Sequence, residues 1–71
     1  MRRPYKVRWF DFQWNERFGA SFATRERATT KAVLMADEGC IDVMVWENDK
    51  NGYVVPDSTK VIVDKAGRRY E

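Results

Sequence analysis

From Pro4 to Trp14 the chain is rich in β-branched and aromatic residues at alternating positions, which predicts a strand. The alternation slips midway. Tyr5, Val7 and Trp9 share one parity, while Phe10, Phe12 and Trp14 share the other. A strand of strict period two cannot place both sets in one core. Either a bulge near Trp9 and Phe10 flips the register, or aromatics stand on both faces of the sheet. A turn at Asn15 and Glu16 leads to a second short strand, Arg17 to Phe22. There Phe18, Ala20 and Phe22 alternate toward the core, and Gly19 marks a close approach or a bulge. The two strands are expected to pair as an antiparallel hairpin.

Residues 25–38 predict a helix. Thr24 is the expected N-cap, Glu26 lies in the first turn, and Gly39 stands where a left-handed C′ residue closes a helix. Ala28, Ala32, Met35 and Ala36 recur at helical spacing and form the stripe that faces a sheet, with Val33 and Leu34 widening it. Period two returns over residues 41–47: Ile41, Val43 and Val45 point inward, and Asp42, Met44 and Trp46 share the other face. Asn51-Gly52 is a strong hairpin signal. It leads to a return strand over residues 53–55 that stops at Pro56. Residues 60–64 suit a last strand, turned by residues 65–68, and residues 69–71 form a ragged or docked tail. The expected fold class is α+β, with one helix packed on a mostly antiparallel sheet in the order β-β-α-β-β-(β), all in one small domain spanning 1–71.

Composition limits what such a domain can do. A chain of 71 residues buries a small core, and domains of this size are commonly stapled by disulfides or metal. One cysteine and no histidine leave neither staple, so large aromatic side chains or association, including a homodimer, must supply the stability. Cys40 follows the predicted helix C-terminus, where the dipole disfavours a thiolate, and is expected as a reduced, buried thiol in a cytoplasmic protein. No stretch approaches the roughly 18 apolar residues of a membrane span. General bases near neutral pH are most often histidine, and the serines and threonines have no evident base. The glycines are scattered singly, so there is no phosphate loop. Asp49-Lys50-Asn51-Gly52 lacks the later glutamate of a calcium loop. The expectation is therefore no enzyme, no cofactor and no metal site.

Binding is the class that remains. The net charge of +2 conceals segregation: residues 1–31 sum to +5, residues 37–57 to −5 and residues 58–71 to +2. The first segment carries Arg2, Arg3, Lys6, Arg8, Arg17, Arg25, Arg27 and Lys31. Such clusters bind phosphate and supply most of the affinity for nucleic acid, though they also serve simply as a solvated surface. Lys6, Arg8, Arg17, Arg25 and Arg27 are the candidate nucleic-acid contacts. A single helix covers one face of a sheet, so Met44 and Trp46 fall on the open side. They are candidates for a protein contact or a stacking platform for unpaired bases, unless other aromatics or the tail cover them.

Val7-Arg8-Trp9-Phe10-Asp11, a turn, then Ser21-Phe22-Ala23-Thr24-Arg25-Glu26-Arg27-Ala28 and a helix resembles the N-terminal arm-type DNA-binding domain of phage integrases, the tyrosine recombinases. The resemblance covers residues 7–38 and implies duplex recognition by the sheet, with Lys6, Arg8 and Arg17 as backbone contacts. Two departures stand out. Gln13-Trp14-Asn15-Glu16 replaces the family's glycine-basic turn, and an acidic strand and further hairpin follow the helix. The leading expectation is a non-enzymatic nucleic-acid-binding module acting through a basic sheet surface. The alternative is a small, phage-encoded regulator that docks on a larger host protein through an exposed aromatic sheet face.

Overall fold

The structure is a computed structural model that describes residues 2–70. Helix α1 (Arg25–Asp37) begins where the sequence places it. Thr24 has extended backbone, and its hydroxyl accepts the Arg27 N–H at 3.2 Å. The helix ends at Glu38, and Gly39 follows at φ +91°, a conformation that favours glycine. Ala28, Ala32, Met35 and Ala36 are all buried, so the alanine stripe lies close against the sheet. Leu34 is the exception to the predicted apolar face and stands half exposed at its flank. The helix is neither long nor apolar enough to cross a membrane.

Four strands lie beneath it: β1 (Tyr5–Phe10), β2 (Glu16–Phe18), β3 (Ile41–Glu47) and β4 (Lys60–Val63). They form one antiparallel sheet in the order β2-β1-β3-β4, which makes the protein α+β. The core is Val7, Val43, Val45, Ile62 and Val63 against the helix stripe, with Tyr5, Trp9, Phe22, Val33 and Cys40 packed around it.

Several strands are shorter than their apolar patterns. The first stops at Phe10, because residues 11–15 form a loop; Phe12 and Trp14 sit in that loop, exposed. The second keeps only Glu16–Phe18. Gly19 donates to the Val7 carbonyl and Phe22 bridges to Tyr5, so three steps on one side oppose two on the other. This bulge separates Phe18, which is opposite Arg8 and 64% exposed, from Phe22, which is half-buried against the core. The expected return strand at 53–55 reduces to a single bridge, Asn48 with Val54. The C-terminal tail is docked: the Tyr70 N–H donates to the Ile62 carbonyl, and Arg69 pairs with Asp37 at 2.8 Å.

Two further bulges explain the core. Arg8 opposes Met44 while Phe10 opposes Ile41, so β3 holds one extra residue there. Asp42 takes φ +51° at that point, and both Asp42 and Val43 are buried. The slip expected at Trp9 and Phe10 lies in the partner strand, so β1 keeps its alternation and its aromatics stand on both faces, Tyr5 and Trp9 against the core and Phe10 beside Arg8; Asp42 is buried against Arg8, with which its carboxylate pairs. On β4 the extra residue is Ile62, which lets consecutive Ile62 and Val63 both enter the core.

Gly19 is held by sterics. A Cβ there would lie 2.6 Å from Val7 Cγ1 and 3.1 Å from Trp9 Cζ3, and Val7 is fully buried with no room to give. Gly19→Ala is expected to lower stability by about 1–3 kcal/mol, the usual cost of overpacking. Thermal denaturation checks this; an unchanged melting temperature would mean that Val7 repacks freely.

The loops at Asp11, Asp49 and Asp64 repeat one device. In each, the aspartate Oδ1 accepts the backbone N–H groups two and four residues on, at 2.8–3.0 Å. In each, the N–H three residues on returns to the aspartate carbonyl. That third residue has positive φ every time: Trp14 at 60°, Gly52 at 86° and Gly67 at 84°. A left-handed backbone costs a residue with a Cβ about 1–2 kcal/mol, so glycine is the expected occupant.

The carboxyl of Asp64 is held below its ordinary 3.8, first by the Arg68 backbone N–H and then by the Tyr70 hydroxyl. Asp11 is lowered likewise, chiefly by the Asn15 N–H. A depressed carboxylate adds stability above its unfolded value and loses it as pH falls through the folded one. Asp64→Asn is expected to melt lower than the parent at neutral pH, with the gap narrowing as pH drops below 3.8. A gap that stayed constant across that window would show that the charge of Asp64 is irrelevant.

Candidate nucleic-acid and protein interface

The helix covers the face of Val7, Val43 and Val45, which leaves the opposite face of the sheet open. Directly opposed residues of an antiparallel pair share a face. Phe18, Arg8, Met44 and Val61 therefore form one row across all four strands. Lys6 and Trp46 form the next row, and Phe10 and Glu16 the row on the other side. A shallow groove of about 280 Å³ runs over this surface, lined by Arg8, Glu16, Phe18, Met44, Trp46, Val54 and Thr59. Met44 and Trp46 thus lie where the alternation places them, half-buried, and the Trp46 indole N–H donates to Asn48 Oδ1 at 2.9 Å.

The five candidate cations do not form one surface. Arg8 is held between carboxylates, with Nη2 2.8 Å from Asp42 and Nη1 3.1 Å from Glu16, and its guanidinium lies 5.2 Å from the Phe10 ring centre. Its charge is compensated within the fold. Arg17 opposes Trp9, which faces the helix, so it belongs to the other face; it pairs with Asp11 at 3.2 Å. Arg25 donates to the Ser58 carbonyl at 3.2 Å and stacks over Tyr5. Arg27 is exposed on the helix and makes no ion pair among the described residues. Of the five, Lys6 lies on the open face with no carboxylate partner among the described residues; it donates to the Ser21 hydroxyl.

Lys6 has cationic neighbours that the shortlist of contacts missed. The Asn48 N–H donates to the Pro4 carbonyl at 2.9 Å, and the Arg2 guanidinium donates to the Asn48 carbonyl at 3.0 Å. These bonds fold the start of the chain against the 48–52 loop. The result is a cleft of about 290 Å³ lined by Arg2, Arg3, Pro4, Lys6, Asn48, Asp49, Lys50 and Gly52. Four cations line it against one carboxylate, Asp49, whose Oδ1 is engaged in its own loop. Because Lys6 opposes Trp46, this cleft adjoins the apolar groove along the same face.

Cys40 is half-buried after the helix, and its thiol is pushed up by burial, then by Glu38 and Asp11. That favours the protonated, unreactive form. No protein-family model, curated protein or solved structure matches the chain.

Proposed function

We propose that the protein is a non-enzymatic nucleic-acid-binding module that takes single-stranded nucleic acid across its open sheet face. The observation that carries this is the Lys6–Trp46 cross-strand pair, where a cationic cleft meets an apolar groove. Unpaired bases need an aromatic or apolar platform, and Phe18, Met44 and Trp46 supply one. Phosphates need uncompensated cations beside it, and Arg2, Arg3, Lys6 and Lys50 supply those. Arg8 supports the groove from below and contributes no free charge.

The test is fluorescence anisotropy with a labelled oligothymidylate and a duplex of equal length, at low and at physiological salt. The single strand is expected to bind more tightly and to weaken steeply with salt. A preference for duplex would favour the integrase-arm resemblance. Absence of binding to either would overturn the reading.

A second reading has its own support. With Arg8 balanced by Glu16 and Asp42, the centre of the face is apolar and free of unpaired charge, as the core of a protein interface is. In that reading the protein is a small, phage-encoded cytoplasmic regulator docking on a host protein through Met44 and Trp46. Its binding would respond weakly to salt.

A further inference from the structure

The three matched aspartate loops differ at one position in a way that packing does not explain. Gly52 and Gly67 fill the left-handed site in two of them, and Trp14 fills it in the third. The bulkiest residue therefore stands where the backbone favours the smallest. It gains little from the fold in return. Trp14 is 67% exposed, and among the described residues its indole makes no hydrogen bond or ring contact. Its neighbour Phe12 is also exposed, but the Phe12 ring lies over Gly39 at the helix end, 3.5 Å from where a Cβ would stand, so Phe12 has a structural neighbour. Strain held without a local return points toward function.

The geometry points to Trp14 as a second base-stacking station, at the far end of the track from the cationic cleft. This rests on the single-strand reading and extends it. The Trp14 loop joins β1 to β2, the two strands that bring Lys6, Phe10 and Phe18 to the open face. It begins just beyond the Phe10–Glu16 row. The carboxylates beside it are compensated, Asp11 by Arg17 and Glu16 by Arg8, so the loop does not set free negative charge against a phosphate strand. An exposed indole with a free N–H offers a π-face to any base and a donor to its edge or phosphate.

The test pairs stability with binding in one set of variants: Trp14→Gly, Trp14→Phe and Lys6→Glu, each measured for melting temperature and for affinity to a labelled oligothymidylate. Trp14→Gly is expected to raise the melting temperature, because glycine relieves the left-handed strain. The same change is expected to weaken binding about tenfold or more, the range for loss of one stacked base. Trp14→Phe is expected to recover most of that affinity. A higher melting temperature with unchanged affinity, while Lys6→Glu still weakens binding, would overturn the role of Trp14 and leave the open-face reading standing. A lower melting temperature in Trp14→Gly would assign the indole to the fold and overturn it as well. If the parent binds no oligothymidylate, both fall together.

Discussion

Replacing Arg8 with Met will destabilise the protein by about 3–5 kcal/mol, the usual consequence of removing one partner from a buried ion pair. Arg8 is only 21% exposed and Asp42 6%. Without the guanidinium, Asp42 would stay desolvated in its bulge, with Glu16, the other carboxylate that Arg8 held, now unscreened. A domain of this size has a net stability of about 3–5 kcal/mol, so the variant is expected to be largely unfolded at room temperature. The double variant Arg8→Met/Asp42→Asn should recover part of the loss. It removes the orphaned charge, and Asn tolerates the left-handed backbone that Asp42 adopts. Urea denaturation of the two single variants and the double variant gives the coupling. If Arg8→Met unfolded at the parent's urea midpoint, the pair would be solvated and the account of Asp42 would fail. Arg8 is consequently a poor probe of nucleic-acid contact, since its loss is expected to unfold the surface it supports.

The second large effect concerns binding without unfolding. Arg3 is exposed, and the Lys6 ammonium donates to the Ser21 hydroxyl and pairs with no carboxylate among the described residues, so reversing either charge leaves no buried partner stranded. Arg3→Glu and Lys6→Glu together are expected to weaken single-strand binding at every sequence. They should also flatten the salt dependence by about 0.7 logarithmic units per lost phosphate contact. Trp46→Ala is expected to cost about 1–3 kcal/mol of affinity through lost stacking, with the salt slope kept. The contrast between variants that change the slope and one that does not is the signature of a track with separate phosphate and base stations. If Trp46→Ala abolished binding of a host protein while both charge reversals left it alone, the protein-docking reading would take precedence.

The sequence made the helix legible at both ends, because its caps and alanine spacing are local and nothing distant competes with them. The face assignment of Lys6, Met44 and Trp46 was legible for the same reason, since period two needs no knowledge of the partner strand. The compensation of the Arg8 charge was not legible, because it depends on Asp42, 34 residues away and buried at a bulge that only strand pairing reveals. Arg17 was misgrouped because the first hairpin turns after Phe10 and sets Arg17 opposite Trp9. The cleft around Arg3 was hidden because it forms between two segments joined by backbone bonds at Pro4 and Asn48. Trp14 did leave a signal. Aligning the chain on Asp11, Asp49 and Asp64 shows a tryptophan in register with two glycines.

The most direct test of the open face as the working surface is a map of backbone amide chemical shifts by NMR during titration with oligothymidylate. Shifts are expected at Arg3, Lys6, Phe18, Met44, Trp46 and Lys50, with the outer helix residues Arg27, Lys31 and Leu34 unmoved. Shifts gathered on Arg27, Lys31 and Leu34, with Lys6 and Trp46 silent, would contradict this expectation.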